Sequence, residues 1–269
     1  MKIRDALPQV FNRAYPVLDP KMPMLPAVSM LRFQQIDGLP LVIDVAAARP
    51  RALHGYSLLK RLLALGQGGF WKFIERPCED AAQSIGVVGA DESLERLLEV
   101  FLKERFGFAW ISDTDRTGVP VSLADVLELY KTGRIESELQ VKDVSSPVFA
   151  LPGMTPLRKA LLFMFSHRFR RVFLSAGGSF VSDRSIISHL FSPSTLHELA
   201  ANPNSLLEMA IAEIEKSKPR RVPGRTALRA AANALRGDVG QCLTSRGTVI
   251  TPWDIVMKPW IAKKLKINE

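Results

Sequence analysis

The sequence predicts a mixed α/β (α+β) fold built from four tandem copies of one small unit, and three observations lead there. A short strand, a hydroxyl, two residues, a carboxylate and an apolar pair follow one another at Val249-Ile250-Thr251-Pro252-Trp253-Asp254-Ile255-Val256, and three other segments share this layout. The hydroxyl position recurs as His54, Ser122, Ser182 and Thr251, at separations of 68, 60 and 69 residues, and self-similarity along a chain marks a repeat architecture. The carboxylate position recurs as Ser57, Asp125, Ser185 and Asp254, each followed by an apolar pair: Leu58-Leu59, Val126-Leu127, Ile186-Ile187 and Ile255-Val256.

Each unit opens on a short strand: Tyr15-Pro16-Val17-Leu18, Ile85-Gly86-Val87-Val88, Val148-Phe149-Ala150-Leu151, and Arg220-Arg221-Val222. An amphipathic helix follows, its apolar residues at three-four spacing. The stripes are Met24, Ala27, Val28 and Leu31; Leu94, Leu97, Leu98 and Phe101; Leu157, Ala160, Leu161, Met164 and Phe165; and Leu228, Ala231, Ala232 and Leu235. Thr155 with Pro156, and Thr226, read as the caps of the third and fourth of these helices; Pro26 is tolerable in a first turn that needs no amide donors. A second strand, Leu39–Ile43, Phe108–Ile111, Arg171–Leu174 or Gln241–Thr244, then pairs with the strand of the motif as a hairpin or near-hairpin. Leu196 to Lys218 reads as helix leading into the fourth unit, interrupted near Asn202-Pro203.

Breaks fall at Gly66-Gln67-Gly68-Gly69, Lys131-Thr132-Gly133-Arg134 and Phe191-Ser192-Pro193-Ser194. The expected units are therefore 1–68, 69–134, 135–194 and 195–269. Units this small bury too little surface alone, which predicts pairing of the first with the second and of the third with the fourth.

The chain of 269 residues is 47% hydrophobic and carries a formal net charge of +9, which points to an anionic partner: nucleotide, nucleic acid or an acidic protein surface. Basic residues gather in His167-Arg168-Phe169-Arg170-Arg171, Lys216–Arg221 and Lys263–Lys266. The sequence offers no recognition-helix signature and no evident basic stripe interleaved with exposed aromatics. Cys78 and Cys242 stand apart, so neither a disulfide scaffold nor a zinc site is indicated. Charges precede any apolar run at the N-terminus and no stretch is long enough for a membrane span, which predicts a cytoplasmic protein without membrane contact. Asp113 and Asp115 read as a turn, and no Ser/His/Asp order or metal spacing suggests an enzyme.

The motif allows two readings. A helix starting at Thr251-Pro252 presents unpaired amides to an anion, and Asp254 could accept hydrogen bonds from a diol. Alternatively, hydroxyl and acid three residues apart form a capping box and bind nothing.

The ending Gly-x-Val-Ile-Thr-Pro-Trp-Asp-Ile-Val, the strand Ile36-Asp37-Gly38-Leu39-Pro40-Leu41-Val42 and the segment Phe180-Val181-Ser182-Asp183-Arg184 resemble cystathionine-β-synthase (CBS) domains over nearly the whole chain. The build is similar to the gamma subunit of AMP-activated protein kinase and to stand-alone archaeal proteins. The resemblance implies four CBS domains in two paired (Bateman) modules with pseudo-twofold symmetry, forming a monomeric disc or a homodimer. It implies a regulatory role without catalysis or required cofactor, in which clefts bind AMP, ADP or ATP, or S-adenosylmethionine, and signal to an effector protein. Carried onto this sequence, Asp254 and Asp125 match the ribose acid, Thr251, Ser122 and Ser182 the hydroxyl, and the backbone of Arg221-Val222-Pro223 faces the base. Arg170 and Arg171 match phosphate-reaching positions; Asp183 lies beside Ser182. Ser57, Ser185 and His54 depart from the pattern, leaving the full motif in one copy of each pair, and Arg170 and Arg171 then favour the cleft between the third and fourth units. A nucleic-acid-binding protein and a scaffold with vestigial clefts are the alternatives.

Overall fold

In the computed structural model, residues 1–33, 38–41, 50–65, 69–114, 117–175, 178–202, 205–235 and 242–267 are described. The first unit comprises α1 (Ile3–Ala6), α2 (Pro8–Phe11), α3 (Met24–Phe33), β1 (Gly38–Pro40), β2 (Arg51–His54), α4 (Gly55–Leu65) and α5 (Phe70–Glu75). After a 3-10 turn at Cys78–Asp80, the second has β3 (Gln83–Ser84), β4 (Gly86–Gly89), α6 (Leu94–Glu104), β5 (Phe108–Thr114), β6 (Thr117–Ser122) and α7 (Leu123–Lys131). The third holds α8 (Val141–Val144), β7 (Ser146–Pro147), β8 (Ala150–Leu151), α9 (Leu157–His167), β9 (Arg171–Leu174), β10 (Phe180–Ser182) and α10 (Asp183–Leu190). α11 (Pro193–Ala201) leads to the fourth: β11 (Arg220–Arg221), α12 (Leu228–Ala234), β12 (Leu243–Ser245), β13 (Thr248–Ile250) and α13 (Pro252–Ile267).

The apolar stripes fold as their spacing requires: Met24, Ala27, Val28 and Leu31 are buried on α3, and Leu94, Leu97, Leu98 and Phe101 on α6. Each unit forms a small sheet. The strand orders are β1-β2-β3, β4-β5-β6, β10-β9-β8 and β11-β12-β13-β7. In the second, third and fourth sheets the leading strand (β4, β8, β11) runs parallel to the next, which then turns back antiparallel.

Two strands cross between units. β3, the first strand of the second unit, joins the sheet of the first, and β7, the first strand of the third, joins that of the fourth. The same exchange ties down the helix starts: the residues entering α3, α6, α9 and α12 bridge to Pro77, Lys2, Ala210 and Gln140 through Pro23, Ser93, Pro156 and Ala227. Units one and two thus clasp one another, as do three and four, matching the predicted pairing. Small clusters seal these pairs, Ala52, Ile85 and Phe108 in one and Phe173, Phe180, Cys242 and Val249 in the other. The larger cores run the other way. One merges helices of the first and third units, including Leu58, Leu62, Leu161 and Ile187; the other merges the second and fourth, including Val126, Leu127, Ala231 and Ile255.

Several expectations are corrected. α9 and α12 begin at Leu157 and Leu228, with Pro156 and Ala227 at the cap position and no side-chain cap bond, rather than at Thr155-Pro156 and Thr226. The carbonyls of Thr155 and Thr226 instead accept from the amides of Ile211 and Val141, so the clasp fixes each entry in extended form. Tyr15–Leu18 contributes one parallel bridge, Leu18 to Leu41, not a strand, and Val42, Ile43 and the break at 66–68 lie outside the described residues. The helix expected from Leu196 to Lys218 stops at Ala201, where an interruption was expected, but does not resume among the described residues. Beyond it, Leu206, Leu207, Ile211 and Ile214 are buried on turns, because the amide of Leu157 donates to the Met209 carbonyl and holds that segment against α9. Among the described residues, no helix is long and apolar enough to cross a membrane.

Candidate functional site at four helix starts

The repeated motif places four helix starts, those of α4, α7, α10 and α13, each directly behind a strand. The third-position side chain returns to the cap amide in every copy. The amide of His54 donates to Ser57 Oγ at 3.3 Å, Ser122 to Asp125 Oδ2 at 2.7 Å, Ser182 to Ser185 Oγ at 2.8 Å and Thr251 to Asp254 Oδ2 at 2.9 Å. The hydroxyls reciprocate: the Ser185 amide donates to Ser182 Oγ at 3.2 Å and the Asp254 amide to Thr251 Oγ1 at 3.3 Å. The capping-box reading is therefore realised, and serine performs it as aspartate does.

Aspartate adds a second oxygen that the cap does not need. In the second unit Asp125 Oδ1 accepts from Arg13 at 2.8 Å, and the other guanidinium nitrogen reaches Oδ2 at 3.3 Å. Arg13 stands on the segment leading into the first unit, 5.2 Å over the Tyr15 ring, and the Tyr15 hydroxyl donates to the Gly38 carbonyl. In the fourth unit Asp254 Oδ1 accepts from Ser146 Oγ at 2.8 Å and pairs with Lys258 at 2.9 Å. Ser146 lies on β7, at the place in the third unit that Arg13 holds in the first. Both carboxylates are nearly enclosed, Asp125 at 5% and Asp254 at 4% exposure.

The first and third starts are differently filled. His54 stacks on Phe106 at 5.1 Å and meets Phe108 edge-on at 5.1 Å, close enough that a Cβ on Gly38 would lie 2.8 Å from the imidazole. Arg170 Nε donates to the buried Asp183 at 2.8 Å, and the Asp183 amide donates to the Arg170 carbonyl. Burial raises the Tyr56 pKa, with Arg168 lowering it and Asp183 raising it, so these charges sit about the α4 start at the contact of the first and third units. Arg170, matched to a phosphate-reaching position by the resemblance, thus meets an internal carboxylate instead. Arg171 acts with Asp254 around Cys242, whose pKa burial pushes up to about 11, Arg171 lowering and Asp254 raising it. Thr251 and Asp254 are joined by their cap, Arg170 is joined to Asp183, and Arg171 stands opposite Ser182 in the β9–β10 pair. Val222 spends its amide on the Thr244 carbonyl, and Arg221 and Pro223 are exposed beside it. Sequence reasoning missed Arg13, Ser146 and Lys258. Only Lys258 carried a local signal, four residues after Asp254 on one helix face.

Neither a family model nor a curated protein matches the sequence. Solved structures do. Protein MJ1225 of Methanocaldococcus jannaschii, described as a proposed archaeal homologue of g-AMPK, superposes with a TM-score of 0.81 over 96% of this chain and 99% of its own, at 14% identity. An uncharacterised conserved protein of Pyrococcus horikoshii gives 0.52 over 82% and 89%, at 12% identity. The CBS-domain containing protein ATU1752 of Agrobacterium tumefaciens gives 0.40 over 50% of this chain and 100% of its own, at 16% identity. The chain has the tandem CBS-domain fold. The expected class and the four-CBS architecture hold over almost the full length.

Proposed function

We propose that this four-CBS chain is a non-catalytic regulatory module that takes an adenine nucleotide between paired domains. One observation carries the reading. Ser185 closes its capping box at 2.8 Å as Asp125 and Asp254 do at 2.7 and 2.9 Å, and Ser57 makes the same return bond at 3.3 Å, so the cap itself does not call for the second carboxylate oxygen of the aspartates. Each surplus oxygen turns toward the leading segment of the partner domain, where Arg13 or Ser146 meets it. A vicinal diol is a donor pair suited to such an oxygen. On entry the ribose displaces Arg13 from Asp125, and the freed guanidinium is positioned for the phosphate it prefers to pair with. In the other pair Asp254, Thr251 and Arg171 take the corresponding parts, with Lys258 released. Signalling to an effector protein then needs the occupied and empty clefts to differ in that contact.

The same contacts favour a second reading, a scaffold whose acids serve as permanent internal clasps. Titration calorimetry with AMP, ADP, ATP and S-adenosylmethionine, on protein freed of copurified ligand, separates the two. The sensor reading expects heat with at least one adenine nucleotide, lost in Asp125→Ser and Asp254→Ser together. No heat with any of the four would leave the scaffold.

A further inference from the structure

The basic, aromatic run His167-Arg168-Phe169-Arg170-Arg171 is not used up by the nucleotide clefts. From Val144 to Ser182 the chain contains no aspartate or glutamate, while Arg158, Lys159, Arg168, Arg170 and Arg171 fall within the stretch. Of these, Arg170 is taken up by Asp183. Lys159 and Arg168 are exposed, and neither joins an ion pair among the described residues.

Beside these cations lies a surface array of four rings. Phe163 and His167 have centroids 4.4 Å apart with planes at 34°, and Phe149 and Phe169 4.5 Å apart at 33°. His167 and Phe169 join the two pairs, 5.7 Å apart and tilted only 17°. Phe149 is 37% exposed and His167 is exposed, while Phe163 and Phe169 are half-buried beneath them, so two of the four rings are open to solvent. Lys159 precedes Phe163 by one helical turn and therefore shares its face of α9. The stripe that the sequence did not reveal is formed by folding, which brings Phe149 from β8's approach against the last turn of α9.

We infer that this face of the third domain binds single-stranded nucleic acid. Aromatic rings open to solvent, as His167 and Phe149 are, offer platforms on which bases stack, and the exposed Lys159 and Arg168 serve the phosphates. The charge also argues against a second copy of this chain, since a twofold contact through this face would set Lys159 and Arg168 against their own kind. The inference does not depend on the nucleotide clefts.

Fluorescence anisotropy with labelled oligothymidylate and oligouridylate of about 20 nucleotides tests it on the full chain. Binding at about 50 mM salt is expected to weaken on the order of ten-fold at about 200 mM. Phe149→Ala and Phe169→Ala are each expected to weaken it about ten-fold. Lys159→Glu, at an exposed position that leaves the fold intact, is expected to weaken it as well. Overturning results are no anisotropy change at low salt, or wild-type affinity in Phe149→Ala and Lys159→Glu, which would place binding on another basic surface. Binding to anionic phospholipid vesicles but not to oligonucleotides, or self-association abolished by Phe149→Ala, would equally overturn it.

Discussion

Asp254 and Asp125 each combine a helix cap with a surplus oxygen, and substitution can separate the two. Asp254→Ala removes the cap and leaves Lys258 without its carboxylate, and is expected to lower stability by about 1–3 kcal/mol in urea unfolding. Asp254→Ser restores the cap found in the first and third domains, and is expected to recover about 1 kcal/mol of that loss; a serine variant no more stable than the alanine one would contradict the capping account. Arg13→Ala is expected to leave adenosine affinity unchanged or raised while lowering that for AMP, because the guanidinium competes with ribose but serves phosphate. The buried thiols fix a pH dependence: Cys78 and Cys242 are pushed from 9.0 to about 11 by burial. Between these values the folded chain keeps protons that the unfolded chain has lost, so stability falls as pH rises from 9 to 11, by about 2 kcal/mol per thiol near the top of the window. Urea midpoints at pH 8 and near pH 10.5 check the sign. The motif residues were legible because capping is local chemistry. Arg13 was not, because it lies 112 residues from Asp125, ahead of the strand that opens the first unit, and only the exchange of leading segments brings it there.

The helices and hairpins were legible from periodicity, since a stripe at three-four spacing can be buried only on one side. Their entries were not. At Thr155 and Thr226 a plausible cap lost to backbone bridges from a partner unit, contacts that no local pattern encodes. The hairpin of β5 and β6 offers a test at this scale. Gly118 faces Trp110, and a Cβ there would lie 2.1 Å from the indole Nε1 and 2.7 Å from the Ile111 carbonyl oxygen. Trp110 packs on the cluster of Ala52, Ile85 and Phe108 that seals the first domain to the second. Gly118→Ala is therefore expected to displace the indole and lower stability by about 1–3 kcal/mol, with a change in tryptophan emission; an unperturbed spectrum and midpoint would contradict this packing.

Over the whole molecule, strands and leading segments join domains one to two and three to four, whereas the large apolar cores join one to three and two to four. Each domain is thus held by two neighbours through different forces. Cutting the chain between its modules would open both large cores, so the intact chain is expected to unfold in one cooperative transition by circular dichroism and tryptophan fluorescence alike. Two separated transitions would contradict this coupling. Pairing was legible from the size of the units, but the second set of contacts was not, because an apolar stripe does not name its partner. In the proposed function a carboxylate oxygen left over from helix capping holds a ribose. Calorimetry that compares AMP with its 2′,3′-dideoxy analogue tests this. The account predicts that AMP binds and that loss of both hydroxyls weakens it on the order of ten-fold or more. Equal affinities, or no binding of either, would contradict it.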